Sequence, residues 1–472
     1  MYLPSIFSDH MVVQRGIKMP VWGWADAGKT VTVRLGDQVR EVRLTESGRW
    51  QVRLDPIEVG SPRTLTVSDG DETVSFADVI AGDVWICSGQ SNMGWPVQSA
   101  TDGDRIAQQA NCPDIRFFDE PGVMSGEMQI DIEMPRRPWH TCTPESARLF
   151  SAVGYLFGRA IRDRVDVPIG LIHIAIGGAP CEIYVSRDAL RADDDLGPIL
   201  DRYDFVRAHH RKAMRRREAV AEPPADPATT KACPAGAFHG MVAPIVPYAI
   251  RGVIWYQGES NVDRAFQYRK LFAALIEDWR RHWGQGDFPF LFVQLPNYEA
   301  DDGRHTQWAE LREAQQMALR LPNTAMVVTI DAGVSDDIHP PDKRSAARRL
   351  ADVALREVYG RDVQAYGPMY RSHEANGRGF RVEFSHADGG LMTSDGAQPR
   401  GFALAGSDRQ FVDAEAVIEG KQVIVQNDQV ADPVAVRYAW CNDPAVNLCN
   451  QAGMPVAPFR TDDWPGMTDS CR

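Results

Sequence analysis

The chain has 472 residues, a formal net charge of −13, and 44% hydrophobic and 24% charged residues. This composition is typical of a folded globular protein and excludes a largely disordered or collagen-like chain. The excess of acidic residues argues against a general binder of nucleic acid or of anionic membranes, because phosphates are neutralised by cationic side chains. The sequence contains no apolar stretch of about 18 residues, so it predicts no membrane-spanning helix.

The first residues show neither the basic segment nor the apolar segment of a secretory signal peptide. We expect a periplasmic or secreted protein if a signal peptide was removed from this sequence, and a cytoplasmic protein otherwise. The eight cysteines lack metal-ligand spacing. Buried free thiols are the favoured interpretation, although Cys441 and Cys449 are close enough in sequence for a disulfide.

Residues 1–78 consist of short segments in which apolar and polar side chains alternate, with turns between them. A period of two residues predicts β-strands. The predicted strands lie at residues 31–35, 39–44, 50–54 and 64–67, and Gly36 and Asp37 predict a hairpin turn between the first two. The sequence therefore predicts an N-terminal β module of the sandwich type.

From residue 79 to residue 360 the pattern changes to apolar strands that alternate with amphipathic helices. This alternation predicts an α/β domain in which helices flank a parallel sheet. Strands are predicted at residues 84–87, 169–174, 252–256, 290–295 and 325–330, and helices at 152–165, 268–283, 310–321 and 343–358.

An insertion at about residues 192–232 interrupts the α/β pattern, and the strand pattern returns over residues 361–472. The insertion holds a basic run at 211–217 and a proline-rich loop at 221–227. The basic run could bind an anionic polymer, but the acidic net charge favours a solvated helix face. Segments 380–384 and 422–425 predict strands of a C-terminal β-rich module.

Polar residues follow the predicted strands of the α/β domain, where ligands bind in an open parallel sheet. Ser91 follows the strand at 84–87, and Gly178 follows the strand at 169–174. A serine at such a turn meets backbone N–H groups that can hold an oxyanion, and paired glycines let the backbone approach a ligand. A helix cap and a plain turn are the structural alternatives.

Two further strand ends complete a set of chemically useful residues. Gln257 and Asn261 follow the strand at 252–256. His339 follows the last strand, in the sequence Asp-Asp-Ile-His that begins at Asp336. An amide can supply an oxyanion donor, and a carboxylate near a histidine can fix its tautomer and raise its pKa. A polar loop and a solvated acidic turn are the alternatives. Together the four strand ends supply what acyl transfer requires.

These segments resemble the conserved blocks of SGNH-type carbohydrate esterases, most closely the sialate O-acetylesterase family. The matching blocks are Gly-Gln-Ser-Asn-Met at 89–93, Gly-Gly at 177–178, Trp-Tyr-Gln-Gly-Glu-Ser-Asn at 255–261 and Asp-Ile-His-Pro at 337–340. Residues 7–15, 21–25, 435–440 and 458–462 resemble the terminal parts of that family. The resemblance therefore covers nearly the whole chain.

The resemblance implies hydrolysis of O-acetyl esters on sugars without a metal or cofactor. It implies that Ser91 is the nucleophile and His339 the general base. The N–H groups of Ser91 and Gly178 would hold the oxyanion together with one amide side chain. Gln257 is the preferred candidate for this amide side chain, and Asn261 is the second candidate. The resemblance also implies substrate contacts from Gln90, Asn92 and Glu259.

The acid that orients His339 is left open. The general SGNH pattern places it three residues before the histidine, at Asp336, whereas the esterase motif that ends in Ile-His-Pro places it at Asp337. A Ser/His pair without an acid is the third alternative.

The acceptor sugar is also left open, between sialic acid and a hemicellulose such as xylan or xyloglucan. Residues 177–184 depart from the family sequence Gly-Gly-Thr-Pro-Ile-Glu-Ala-Trp, and His239 stands where asparagine is expected. A sialate would require a cation, for which Arg251, Arg264 and the basic insertion are candidates. The expected partner is thus an O-acetylated sugar or polysaccharide, with no nucleic acid.

A non-catalytic carbohydrate-binding protein is the alternative from another class. Two β modules and 12 tryptophans suit stacking on sugars. Hydrolysis by a metal centre is disfavoured, because the 11 histidines show no ligand spacing.

Overall fold

The computed structural model describes residues 1–120, 122–132, 135–215, 225–299 and 306–471. The chain forms two compact units. Unit 1 comprises Met1–Trp255 and Ala273–Phe290, and unit 2 comprises Tyr256–Phe272 and Leu291–Arg472. The predicted division into residues 1–78, 79–360 and 361–472 rests on sequence period rather than on contacts, and it stays a prediction.

Unit 1 combines an N-terminal group of strands with an α/β sheet. Its strands are β1 (Val12–Gln14), β2 (Met19–Ala25), β3 (Thr30–Leu35), β4 (Gln38–Arg43), β5 (Gly48–Leu54), β6 (Arg63–Ser68), β7 (Thr73–Gly89), β8 (Cys112–Asp119), β9 (Arg137–Cys142), β10 (Ile169–Ala175) and β11 (Gly252–Tyr256). Its helices are α1 (Ser91–Gly94), α2 (Gly103–Gln108), α3 (Pro144–Leu149), α4 (Ala152–Val165), α5 (Arg187–Arg191), α6 (Gly197–Arg215) and α7 (Ala243–Ile245).

The long strand β7 belongs to both parts of unit 1. Its first half pairs antiparallel with β6, and β6 continues through β3 to β4. Its second half pairs parallel with β1 and β10, and the order across the α/β sheet is β11-β7-β10-β8-β9. β8 is parallel to β10, whereas β9 is antiparallel to β8. The sheet is therefore mixed, with a parallel centre.

Helix α4 packs against this sheet through two glycines. A Cβ atom on Gly154 would lie 2.9 Å from the Cys87 sulfur, and one on Gly158 would lie 2.9 Å from Leu171 Cδ1. Any larger residue would force the helix away from β7 and β10. The helix begins at Ser151, whose hydroxyl accepts a hydrogen bond from the Gly154 N–H and donates one to the Met93 carbonyl. The helix cap thereby ties α4 to α1.

Unit 2 begins with the end of the α/β region and continues into antiparallel sheets. Its strands are β12 (Phe290–Val293), which starts on the last residue of unit 1, β13 (Thr324–Val327), β14 (Met369–Ala375), β15 (Gly379–Ser385), β16 (Leu391–Thr393), β17 (Phe402–Ala405), β18 (Phe411–Asp413), β19 (Glu415–Glu419), β20 (Gln422–Gln426), β21 (Ala435–Tyr438), β22 (Leu448–Asn450) and β23 (Phe459–Arg460). Its helices are α9 (Gln307–Met317) and α10 (Arg344–Glu357), and α8 (Ala265–Trp283) contributes residues to both units.

The C-terminal strands form sheets of order β14-β15-β20-β19 and β18-β17-β21-β23, with a β16-β22 pair. Alternate side chains of these strands meet in one apolar core that includes Val382, Leu404, Val425 and Val436. This alternation is the period-two pattern from which the C-terminal β-rich region was predicted.

The predicted fold class is confirmed: helices flank a sheet with a parallel centre, and β-rich regions lie at both ends of the sequence. Helix α4 and strand β11 have the predicted bounds. Strands β8 and β9 were missed, because Pro113, Asp114 and Pro138 interrupt their apolar pattern. Among the helices that the structure describes, none is long and apolar enough to cross a bilayer.

Helix α6 contains the first five residues of the basic run of the insertion. The rest of that run and residues 221–224 of the proline-rich loop lie outside the described residues. All eight cysteines are free thiols, and Cys441 and Cys449 are not bridged.

Candidate active site

Ser91 lies at the tip of the central strand of unit 1. Strand β7 ends at Gly89, Gln90 is extended with φ −120°, and Ser91 is the first residue of α1. The cap position therefore belongs to Gln90, so the interpretation of Ser91 as a helix cap is wrong. Gln90 and Asn92 are buried, whereas Ser91 is partly exposed. Because N–H groups in a first helical turn have no intrahelical acceptor, the N–H of Ser91 is suited to bind an anion.

The turn after β10 lies beside Ser91. A Cβ atom on Gly177 would be 3.8 Å from the Ser91 Cβ. The Ala179 N–H closes the turn on the Ile176 carbonyl at 3.2 Å, with Gly178 at φ +63°. Glycine adopts this left-handed conformation at no steric cost. The structure thus brings Ser91 and the Gly177–Gly178 turn together in unit 1.

Tyr184 connects the two strand ends, and sequence analysis did not identify it. Its hydroxyl donates to the Gly89 carbonyl at 2.8 Å and accepts from the Ile176 N–H at 3.0 Å. Burial raises the pKa of Tyr184 far above its usual range, so the hydroxyl keeps its proton. The ring packs edge-on against Trp255, with centroids 5.3 Å apart. The one feature of the sequence that pointed to Tyr184 is its position in residues 177–184, the segment that departs from the family sequence.

A second group of buried titratable residues lies at the end of β8. His173 Nδ1 is 2.9 Å from Asp119 Oδ1, and both side chains are buried. The Glu120 N–H donates to the His173 carbonyl at 3.3 Å, and within the described residues neither carboxyl oxygen of Glu120 has a hydrogen-bond partner. Burial, followed by the charges of Asp119 and Asp131, raises the pKa of Glu120 well above its usual range. Sequence analysis missed this group because it missed β8.

In unit 2, Gln257 fixes the orientation of Asn261. The Gln257 amide donates to Asn261 Oδ1 at 2.7 Å, and the Tyr268 hydroxyl donates to Gln257 Oε1 at 2.9 Å. Gln315 also donates to the Gln257 backbone carbonyl at 2.9 Å. Gln257 is fully buried, so both ends of its amide are held. Because the Asn261 oxygen faces Gln257, its NH₂ group faces the opposite way.

The loop that carries His339 is also in unit 2. The Asp337 carboxylate accepts the backbone N–H of His339 at 2.8 Å, and the Asp337 N–H donates to the Val334 carbonyl at 3.1 Å. In the described part of the chain, the exposed Asp336 side chain makes no hydrogen bond or ion pair. The structure therefore ties Asp337, and not Asp336, to the backbone of His339.

Burial, followed by the positive charge of Lys343, lowers the pKa of His339, and the Asp337 carboxylate opposes this shift. The expectation of a raised pKa was wrong, because it considered the carboxylate alone. Lys343 is buried just before α10, and burial lowers its pKa to about 8 although Glu259, Asp337 and Asp342 oppose the shift. Sequence analysis missed the role of Lys343 because it treated this residue only as the start of a helix.

The positively charged side chains that were candidates for binding a sialate carboxylate differ in their contacts. Arg251 binds buried Asp83 at 2.8 Å and is a structural residue, and Arg264 contacts Asp263 at 3.4 Å. Lys231, in the insertion, lies directly against the glycine turn, since a Cβ atom on Gly178 would be 3.1 Å from its Nζ. Across the described ranges, no three histidine, cysteine or acidic side chains converge as metal ligands would.

Known proteins that are similar to this chain are carbohydrate esterases. A family model described as carbohydrate esterase, sialic acid-specific acetylesterase, matches residues 239–356. The sialate O-acetylesterase of Rattus norvegicus is 32% identical over 418 residues, which cover 78% of this chain and 76% of the relative. The human sialate O-acetylesterase is 30% identical over 401 residues, or 77% of this chain and 72% of the relative.

A solved carbohydrate acetylesterase from Xanthomonas citri has the same fold throughout. It superposes with a TM-score of 0.86 at 35% identity, and covers 98% of this chain and 99% of its own. The fold and these relatives define a carbohydrate esterase, so the alternative of a non-catalytic carbohydrate-binding protein is set aside. More closely, the chain belongs to the sialate O-acetylesterase family and is an O-acetylesterase.

Proposed function

We propose that this enzyme hydrolyses O-acetyl esters of sugars with Ser91 as nucleophile and His339 as general base. The observation that carries the proposal is the placement of Ser91 on the first residue of α1, beside the Gly177–Gly178 turn. The Ser91 oxygen attacks the acetyl carbon while His339 accepts the hydroxyl proton. The N–H groups of Ser91 and Gly178 stabilise the oxygen that becomes negative.

Asn261 is the proposed side-chain donor to the oxyanion, ahead of Gln257. The amide of Gln257 is engaged by Asn261 and Tyr268, which suits a supporting residue. That support fixes which end of the Asn261 amide faces away from Gln257, and an oriented NH₂ group loses little entropy when it binds the oxyanion. Substrate contacts from Gln90, Asn92 and Glu259 remain part of the proposal.

His339 returns its proton to the sugar oxygen as the ester bond breaks, which leaves an acetyl-serine and a free sugar hydroxyl. A water molecule then attacks the acetyl carbon while His339 accepts its proton. His339 returns that proton to the Ser91 oxygen as the acyl bond breaks, so acetate leaves and the free serine is restored. Asp337 is the proposed acid of this cycle, because its carboxylate is bound to the His339 backbone and stabilises the protonated imidazole. Asp336 is the alternative.

Replacement of Ser91 tests the mechanism. Ser91→Ala is expected to lower the turnover of a small chromogenic acetate ester by roughly 10³-fold or more. Ser99→Ala is the matched control, because Ser99 is an exposed serine close in sequence. Ser91→Ala that keeps half of the wild-type turnover would refute the assignment, and so would His339→Ala with near-normal turnover.

For the acceptor sugar we favour an O-acetylated sialate over a hemicellulose, on one observation. The Lys231 ammonium lies against Gly178, where it can pair with a sugar carboxylate. Acetate release from O-acetylated sialic acid, acetylated xylan and acetylated xyloglucan should be measured side by side. Lys231→Ala is expected to raise KM for the sialate by roughly tenfold and to leave neutral esters unchanged.

Lys212→Ala is the control for this acceptor test, because Lys212 is another exposed lysine of the insertion. Faster release of acetate from xylan or xyloglucan, together with no effect of Lys231→Ala, would assign the enzyme to hemicellulose. That result would leave the roles of Ser91 and His339 untouched.

A further inference from the structure

A large cavity lies in the C-terminal part of unit 2, apart from the residues assigned to catalysis. Its volume is about 770 Å³. It lies on the outer face of the sheet β18-β17-β21-β23, whose inner face belongs to the apolar core. None of the described residues that line it has a role in the proposed mechanism.

The sheet register explains why this face is hollow. On the middle strand β17, Ala403 pairs with Asp413 of β18 on one side and with Arg437 of β21 on the other. These three residues therefore share one face, while Leu404 points into the core. Since alanine is short, a depression forms between the longer side chains of the two neighbouring strands.

One wall of the depression is an aromatic platform formed by Phe411, Arg437 and Trp440. The Arg437 guanidinium carbon lies 4.0 Å from the centre of the Phe411 ring and 5.4 Å from that of Trp440. The Arg460 guanidinium, which is paired with Glu313, lies 5.0 Å from the centre of the Trp440 ring. Asp462 holds the guanidinium with two hydrogen bonds of 2.8 and 2.7 Å. The platform is thus rigid, and its positive charge is already neutralised.

Polar side chains surround the platform. Arg400 is half exposed and is paired with Asp395 at 2.7 Å. Asp413 and Glu415 are exposed at the rim, and within the described residues neither carboxylate takes part in a hydrogen bond or an ion pair. Because Asp395 neutralises Arg400 and Asp462 neutralises Arg437, the two rim carboxylates leave a net negative charge. They are also free to accept hydrogen bonds.

We propose that this cavity is a second, non-catalytic carbohydrate site, and that it binds a neutral oligosaccharide. Its volume lies within the range of roughly 300–1,000 Å³ that is usual for ligand sites. The partly exposed ring of Trp440 suits the C–H face of a pyranose ring, whereas the Arg437 guanidinium already covers one face of Phe411. The carboxylates of Asp413 and Glu415 suit sugar hydroxyl donors and repel an anionic sugar. Such a site would hold the neutral residues of a glycan close to the enzyme, whichever acetylated sugar that glycan carries.

Binding of sugars that carry no acetyl ester tests this site independently of catalysis. Isothermal titration of the full chain with xylohexaose and with cellohexaose should show binding of at least one of them, and no binding of the anionic 3′-sialyllactose at the same concentration. Ser91→Ala should bind as the wild type does. Absence of binding of both neutral sugars at millimolar concentration would overturn the proposal, and so would equal binding of sialyllactose.

Variants locate the binding within the cavity. The double variant Asp413→Asn/Glu415→Gln is expected to weaken binding by roughly tenfold, since it replaces charged acceptors with neutral ones. Asp432→Asn, at an exposed acid of the same unit, is the matched control and should bind normally. Trp440→Leu should abolish binding, and its thermal unfolding shows whether it is folded. Wild-type affinity in the double variant would refute the site even if Trp440→Leu fails to fold.

Discussion

The hydroxyl of Tyr184 is a sensitive test of how unit 1 holds its strand ends. Tyr184→Phe removes one oxygen and leaves the buried ring in place. The lost bonds are those to the Gly89 carbonyl at 2.8 Å and from the Ile176 N–H at 3.0 Å. The Ile176 N–H keeps a longer contact of 3.3 Å with the Gly89 carbonyl, so it is not left wholly unpaired.

At about 0.5–1.5 kcal/mol for each buried hydrogen bond, the substitution should lower the free energy of unfolding by about 1–3 kcal/mol. The turn that contains Gly178 loses a support, and small misplacement of an oxyanion donor is costly. We therefore expect kcat for a small acetate ester to fall by roughly 10- to 100-fold while KM changes little.

Tyr248→Phe is the matched control. The Tyr248 hydroxyl is also fully buried and donates one hydrogen bond, to the Val12 carbonyl at 2.7 Å. This variant should lose about 1 kcal/mol of stability and keep its kcat. Urea unfolding and steady-state kinetics of both variants separate the two effects. If Tyr184→Phe loses stability but keeps its kcat, the hydroxyl is only structural and the positioning argument is wrong.

Three further predictions concern the residues of unit 2 and the chemistry. Burial and the charge of Lys343 lower the pKa of His339, so the neutral imidazole that acts as a base should persist into mildly acidic solution. The acid limb of the kcat/KM profile should therefore lie below the ordinary histidine pKa of about 6.5. Lys343→Gln removes the positive charge and should move that limb to higher pH; a limb that stays in place contradicts the coupling. Asp337→Asn should lower kcat far more than Asp336→Asn, whereas equal and mild losses would indicate a Ser/His pair. Activity should survive dialysis against EDTA, and loss of activity that zinc restores would reverse the expectation of metal-free hydrolysis.

Local patterns in the sequence were enough to predict much of the fold. The apolar period placed helix Ala152–Val165 and strand Gly252–Tyr256 correctly, because their side-chain patterns match the geometry of those elements. Strand β8 escaped the same reasoning, since proline and aspartate dilute its pattern and its pairing with β10 compensates for them. The ends of the predicted strands also supplied the candidate residues for the chemistry.

Contacts between segments distant in sequence decided the rest. The sequence placed Ser91 after a strand and Gly178 after another, but the link between them through Tyr184 exists only in the folded chain. Likewise, Asp337 lies two residues before His339 and suggested a raised pKa, whereas burial and Lys343 lower it. Spacing along the chain determines which side chains are available. Burial and the dielectric environment, which depend on tertiary packing, determine their charge and orientation.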